Sequence, residues 1–225
     1  MTWQIPLRGP AGEPVDFRRT LSSHGVASLP PALLDEDRYD RMELTIPVPG
    51  SRPRTVTLTN EHHDAVTVDV AGRAPGPRVA DAVLLSVREV LNLDLDLSEF
   101  YSAAAEDPEL SWVTAGAGRM IRSPTVFEEV VKTICTTNCS WALTTKMVTA
   151  LVEHLGEPAI GAPRDGWRGR AFPTAEAMAG ADERFYRDVV RAGYRGPYLR
   201  TLAGMVNAGD VDLEGLARAR PEDLT

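Results

Sequence analysis

Cysteine is scarce in this sequence, with two in 225 residues. So few exclude a disulfide framework, a four-cysteine zinc site and a cysteine-ligated iron–sulfur cluster. They fit a reducing, cytoplasmic compartment. Long hydrophobic runs are missing as well. No apolar stretch reaches the roughly 18 residues of a transmembrane helix. The N-terminal MTWQIPLRGPAGEP has no basic stretch leading into an apolar core, so no secretory signal is expected. Basic charge is not in excess either. Lys and Arg number 24 against 32 Asp and Glu, net −8, which argues against a histone-like or non-specific nucleic-acid binder. The hydrolase patterns G-x-S-x-G and H-E-x-x-H do not occur. Gly116-Ala117-Gly118 has no strand before it and no Lys-Ser/Thr after it, so it is not read as a phosphate loop.

What is present describes a soluble globular protein: 43% apolar and 25% charged residues, enough chain for one large domain or two small ones. The charge is uneven. Residues 164–200 hold 8 Arg against 5 acids, a locally basic stretch in an acidic chain. That is compatible with DNA contact and equally with an ordinary solvated surface.

The apolar pattern divides the chain. Residues 14–24 suggest a short helix ended by Gly25. Three strands are expected at 41–48, 54–59 and 66–70, where polar and apolar residues alternate, joined through the turn-rich GSRP and NEHHD segments. Residues 78–92 place Val79, Val83, Leu84, Val87, Val90 and Leu91 on one helical stripe that covers the sheet. After residue 95 strands stop. Helices are expected at 97–106, from Ser123-Pro124 onward, from Trp141 to Leu155, through Met178, and over 182–192 and 197–208, with short pieces in 211–225. Ser123 is read as an N-cap, and Trp141 as inward-facing. The expected fold class is α+β: an antiparallel sheet with helices over 1–95, followed by an all-α domain over 96–225.

Few constellations point to chemistry. Cys135 and Cys139 lie four apart with no nearby histidine to complete a metal site, so they read as structural. His62 and His63, adjacent in a turn, point apart. The segment RAGYRGPYLR, Arg191 to Arg200, is more informative. A helix is expected to stop at Gly193, and another to start at Gly196-Pro197. Tyr194 and Arg195 then sit on the corner between them. An aromatic ring and a guanidinium beside a helix N-terminus suit a base and a phosphate. An ordinary helix junction has the same pattern.

Three segments resemble DNA glycosylases of the helix-hairpin-helix superfamily, in the branch of 8-oxoguanine DNA glycosylase and 3-methyladenine DNA glycosylase II. They are SPTVFEEVVKTICTTN (123–138), continuing through Ser140-Trp141-Ala142 to Lys146-Met147; Phe172-Pro173-Thr174 with the Ala-rich helix after it; and Gly193-Tyr194-Arg195 through Tyr198. The resemblance implies a base-excision repair enzyme. It would rotate an oxidised or alkylated nucleotide out of duplex DNA and hydrolyse its N-glycosidic bond. By motif position Asn138 is the plug that fills the vacated stack, and Tyr194 is the wedge on the opposite strand. Arg195 is the contact to the unpaired partner base or its phosphate. Where the oxidised-guanine branch carries a second arginine, five residues after the plug, this sequence has Leu143.

The Gly-rich hairpin and its catalytic Asp, with a Lys in bifunctional members, are expected beyond Thr225. No catalytic residue is therefore assigned, and the 225 residues alone are expected to be inactive. Glu128, Glu129 and Asp188 are explained by helix-start electrostatics and a solvated helix face. The implied partner is double-stranded DNA containing a damaged base, with no membrane, metal or cofactor, and a monomer at full length. Two rivals stay open: a non-catalytic module that recognises damaged DNA, and an unrelated α+β protein.

Overall fold

The computed structural model describes residues 1–62 and 64–216. Alternating side chains build the sheet. Strands β1 (Thr2–Pro6), β2 (Ala32–Leu34), β3 (Arg41–Val48), β4 (Ser51–His62) and β5 (Ala65–Val70) form one antiparallel sheet in the order β1-β5-β4-β3-β2. Met42 pairs with Leu58, Leu44 with Val56, and Leu58 with Val68 across it. These side chains share one face because side-chain direction repeats every second residue. Helix α1 (Phe17–Leu21) is shorter than the 14–24 reading. Asp16 caps it, and Gly25 opens a separate 3₁₀ turn instead of ending it. Helix α2 (Pro77–Val90) lays Ala80, Val83, Val87 and Val90 onto the sheet. The turn readings contract: β4 runs through Ser51-Arg52-Pro53 and on to His62, leaving Pro49-Gly50 as the first turn, with Gly50 at φ +69°. His63 and residues 217–225 lie outside the described residues.

Helix α3 (Ser98–Ala105) and a 3₁₀ turn at Ser111–Ala115 follow. Then come α4 (Val126–Thr136), α5 (Trp141–Leu155), α6 (Ala175–Gly180), α7 (Arg195–Ala208) and α8 (Leu213–Leu216). The fold is α+β. Gly116 and Gly118 both have positive φ and belong to a packed turn: the Asp16 amide donates to Gly116 O, and the Tyr101 hydroxyl to Ala117 O.

Two cores result. One is the sheet with α1 and α2; the other gathers Phe127, Val131, Met147, Leu151, Phe172, Tyr186, Leu199 and their neighbours. Each borrows a residue from the other side, Ile121 in the first and Leu29 in the second. A buried ion pair lies in each. Arg119 meets Glu13 at 3.1 Å and donates to the Asn92 and Leu95 carbonyls, tying the 92–97 loop to the N-terminal segment. Lys132 meets Glu128 at 2.7 Å and donates to Leu29 O. Glu128 is therefore not a solvated helix-start charge. It is 1% exposed, and burial pushes its carboxyl above the ordinary value more strongly than Lys132 pulls it down.

Candidate nucleic-acid interface

The site is made of two sharp corners. The first joins α4 to α5. Helix α4 starts two residues later than expected: Thr125, not Ser123, caps it, its hydroxyl accepting the Glu128 amide. Val126 and Phe127 donate their amides to Glu214 Oε1, so the α4 N-terminus is closed by a carboxylate of the same chain. At the other end the last carbonyls are taken by side chains. Thr137 Oγ1 donates to Ile134 O, and Thr144 Oγ1 and Cys139 Sγ both donate to Cys135 O. Asn138 then turns the chain at φ +45°, a left-handed conformation that asparagine adopts more readily than bulkier residues. Ser140 caps α5.

The two cysteines hold this corner together. Both are free; Cys135 lies in the core, and burial pushes its thiol up to about 12. Among the described residues no three His, Cys, Asp or Glu side chains are grouped to bind a metal. Trp141 is not on the inner face: it is 46% exposed and rests against Gly25, while Thr144 takes the buried position.

The second corner joins residues 183–190 to α7. The expected 182–192 helix is a short turn that widens into one π-helical turn over Phe185–Val189. It stops at Arg191, not Gly193. Arg191 takes φ +57°, and the Ala192 amide closes back onto Tyr186 O. Gly193 follows at φ +58°. Two left-handed residues so close together reverse the chain and bring Tyr194 out at the start of α7. Gly196 allows this helix to press on Tyr186, since a β-carbon there would stand 3.1 Å from Tyr186 Cβ.

The corners meet. Asn138 Nδ2 donates to Tyr194 Oη at 3.1 Å, and Thr137 Oγ1 lies 3.3 Å from the same oxygen. These contacts, with the nearby Arg195 charge, hold the Tyr194 hydroxyl below its ordinary value. Asn138 is exposed, and Tyr194 is 53% exposed. Tyr198, one turn along α7 and 64% exposed, stands 6.4 Å from Tyr194 at 78° between ring planes. An open cavity of about 490 Å³ beside them is lined by Glu183, Tyr186, Arg187, Tyr194 and Arg200, among others.

Arg195 departs from its expected place. It is the first residue of α7 and only 4% exposed. Its guanidinium donates to Thr137 O, Thr137 Oγ1 and Ala192 O, and it covers the Tyr194 ring at 4.6 Å. The carbonyl and hydroxyl of Thr137, just past the end of α4, hold it inward, so it braces the two corners instead of offering itself to a base or phosphate. The exposed cations lining the cavity are Arg187, which pairs with Asp188, and Arg200.

No protein-family model and no curated protein sequence matches the chain. Solved structures do. A 3-methyladenine DNA-glycosylase from Archaeoglobus fulgidus superposes with a TM-score of 0.71 at 21% identity, over 98% of this chain and 71% of that one. MBOgg1, solved in complex with a low-affinity DNA ligand, superposes with a TM-score of 0.67 at 16% identity, over 99% and 68%. The fold is that of the DNA glycosylases. Clostridium acetobutylicum 8-oxoguanine glycosylase/lyase, in complex with double-stranded DNA containing cytosine opposite 8-oxoG, shares this fold at a TM-score of 0.55 and 20% identity, over 78% of this chain and 59% of that one. Among the described residues no helix of this glycosylase fold is long and apolar enough to cross a membrane.

Proposed function

We propose that this chain binds double-stranded DNA at a damaged base and supplies the DNA-opening surface of a base-excision glycosylase acting on an oxidised or alkylated base. The observation that carries the reading is the meeting of Asn138 with Tyr194. They sit on two helix corners 56 residues apart in sequence and share a 3.1 Å hydrogen bond on an exposed surface. A short amide and an aromatic ring side by side suit the two tasks of base extrusion: filling the vacated stack and wedging the opposite strand. The exposed Arg184, Arg187, Arg191 and Arg200 would meet the phosphates. In this reading the helical part, from residue 96 onward, carries the DNA contact, and the sheet part, 1–95, is its scaffold. The setting would be cytoplasmic and the complex one protein per lesion.

Extrusion is not excision. Hydrolysis of the glycosidic bond needs a carboxylate to stabilise an oxocarbenium-like sugar. Among the described acids near the corners, Glu128 is buried against Lys132, Asp188 is paired with Arg187, and Glu183 is exposed on the cavity rim. The 225 residues are therefore expected to bind without excising at a useful rate.

The test is fluorescence anisotropy with a labelled duplex carrying one alkylated base or an abasic-site analogue, against the intact duplex. The reading expects tighter binding to the lesion and loss of that preference in Tyr194→Ala. Equal affinity for both duplexes would overturn it.

A further inference from the structure

The sheet part buries one cation that meets no anion. Arg54 on β4 stands opposite Ile46 of β3 and two residues before Val56, so it lies on the core face of the sheet. It is 6% exposed, yet among the described residues its side chain makes a single hydrogen bond, from Nη1 to Arg73 O at 3.3 Å. No carboxylate pairs with it, and its buried Nε has no acceptor. The other buried cations are better met. Arg119 and Lys132 each have a carboxylate, and Arg195 has three oxygens from Thr137 and Ala192. A buried guanidinium served this poorly is costly. The edge it leaves open, Nε with Nη2, is one that grips an oxyanion through two parallel bonds.

The bond to Arg73 carries Arg54 to the turn between β5 and α2. That turn crosses the end of β4, where the Ala71 amide donates to Thr55 O. Helix α2 then begins at Pro77, and its N-terminus is open. Gly76, the cap residue, brings no side chain to the first amides, and the first turn holds no acid. A β-carbon at Gly76 would meet nothing within 4 Å. The N-terminus of α4 differs, because Glu214 closes it. Arg73 and Arg78 flank the α2 N-terminus, both exposed and, among the described residues, in no ion pair. We infer that the free edge of Arg54, the side chains of Arg73 and Arg78 and the first amides of α2 bind a phosphate group. Three guanidiniums and a helix N-terminus ask for more than one negative charge and several acceptor oxygens, which phosphate supplies. The site belongs to the sheet part and does not depend on the DNA-binding reading of the corners.

The experiment follows thermal unfolding of the full 225-residue chain in inorganic phosphate, against sodium chloride of equal ionic strength so that screening is matched. Phosphate should raise the midpoint saturably, by about 3 °C at roughly tenfold excess over its dissociation constant. Arg54→Met should abolish the rise. Arg54→Lys, which keeps the charge and loses the fork, should leave less than about half of it. Arg73→Ala with Arg78→Ala alters only exposed side chains and should weaken phosphate binding about fivefold or more. This double variant decides the matter even where Arg54→Met does not fold. No rise beyond that in chloride overturns the inference, and so does a rise in the double variant equal to the parent's. Duplex binding at several salt concentrations then gives the source of the phosphate. For a DNA backbone phosphate, the double variant lowers the slope of log affinity against log salt by about 1–2. An unchanged slope, with the phosphate response lost, assigns the site to free phosphate or a phosphorylated small molecule. Equal affinity for lesion and intact duplex would sink the reading of the corners and leave this site standing.

Discussion

The sheet and the α4–α7 corners follow opposite rules. In the sheet, local preference and burial agree: β-branched and aliphatic residues alternate, pair across strands and disappear under α2. At the corners they conflict. Asn138 and Arg191 take left-handed backbone, two tyrosines stay exposed, and an arginine is buried beneath them. Such conflict persists only where surrounding structure enforces it, and it concentrates at functional surfaces. In the proposed function the sheet is the scaffold and the corners carry the DNA contact.

The two buried ion pairs sharpen this contrast and give the largest expected effects. Glu13 in the sheet part is well partnered, accepting from Arg119, the Leu97 amide and the Ala11 amide. Arg119→Ala would leave that carboxylate buried and unpaired, and should cost about 3–5 kcal/mol in urea denaturation. A cost below about 1 kcal/mol would mean that Glu13 escapes to water and that the 92–97 loop is not tied down.

Glu128 in the helical part is less well served: neither carboxylate oxygen has a well-formed hydrogen bond. Lys132→Met should cost about 2–3 kcal/mol at pH 8. Because burial raises the folded carboxyl above its ordinary 4.5, the folded state holds that proton more tightly than the unfolded chain does. The stability it contributes is present below pH 4.5 and is lost as pH rises through the raised folded value. The Lys132→Met loss should therefore be smaller at pH 5 than at pH 8. Replacing both partners, Glu128→Leu with Lys132→Met, should flatten the profile and cost little or nothing. A single-variant loss that is independent of pH would show that Glu128 does not carry the effect.

The same contrast explains what could be read from sequence. Strands β3 to β5 and helix α2 were legible because their periodicity is local. Strand β1 was not: its alternation rests on Trp3 and Ile5 alone, and its partners on β5 lie 59 to 67 residues away. Strand β2 has three residues, too few for a period. At the site, motif resemblance singles out Asn138 and Tyr194, and the structure places them 3.1 Å apart on an exposed surface. The burial of Arg195 was not legible, because it depends on the hydroxyl and carbonyl of Thr137, 58 residues away. Nor was the Glu128–Lys132 pair, although the i, i+4 spacing on an apolar helix face carried a signal for it.

Tyr194→Ala should separate the two regions functionally. The side chain is exposed, so unfolding stability should change by no more than about 0.5–1 kcal/mol. Affinity for lesion duplex should fall about 5- to 100-fold, and affinity for intact duplex much less, since a wedge acts only on opened DNA. A parallel loss on both duplexes would recast Tyr194 as a general backbone contact.

Asn138→Gly should have the smallest effect on stability and distinguishes corner from plug most cleanly. At φ +45° a glycine fits without a β-carbon to strain, and the bond to Tyr194 that it removes is solvent-exposed. The neighbouring ties from Thr137, Cys139 and Thr144 to the α4 carbonyls remain. Stability should stay within about 0.5 kcal/mol of the parent, while preference for the lesion duplex declines because nothing fills the opened stack. Asn138→Val, by contrast, puts a β-branched residue into left-handed backbone and should lose about 1–2 kcal/mol as well as the preference. If Asn138→Gly loses stability to the same extent, the side chain holds the corner. If it keeps full lesion preference, the plug is some other group, and the Asn138–Tyr194 contact is only a tie between two helix ends.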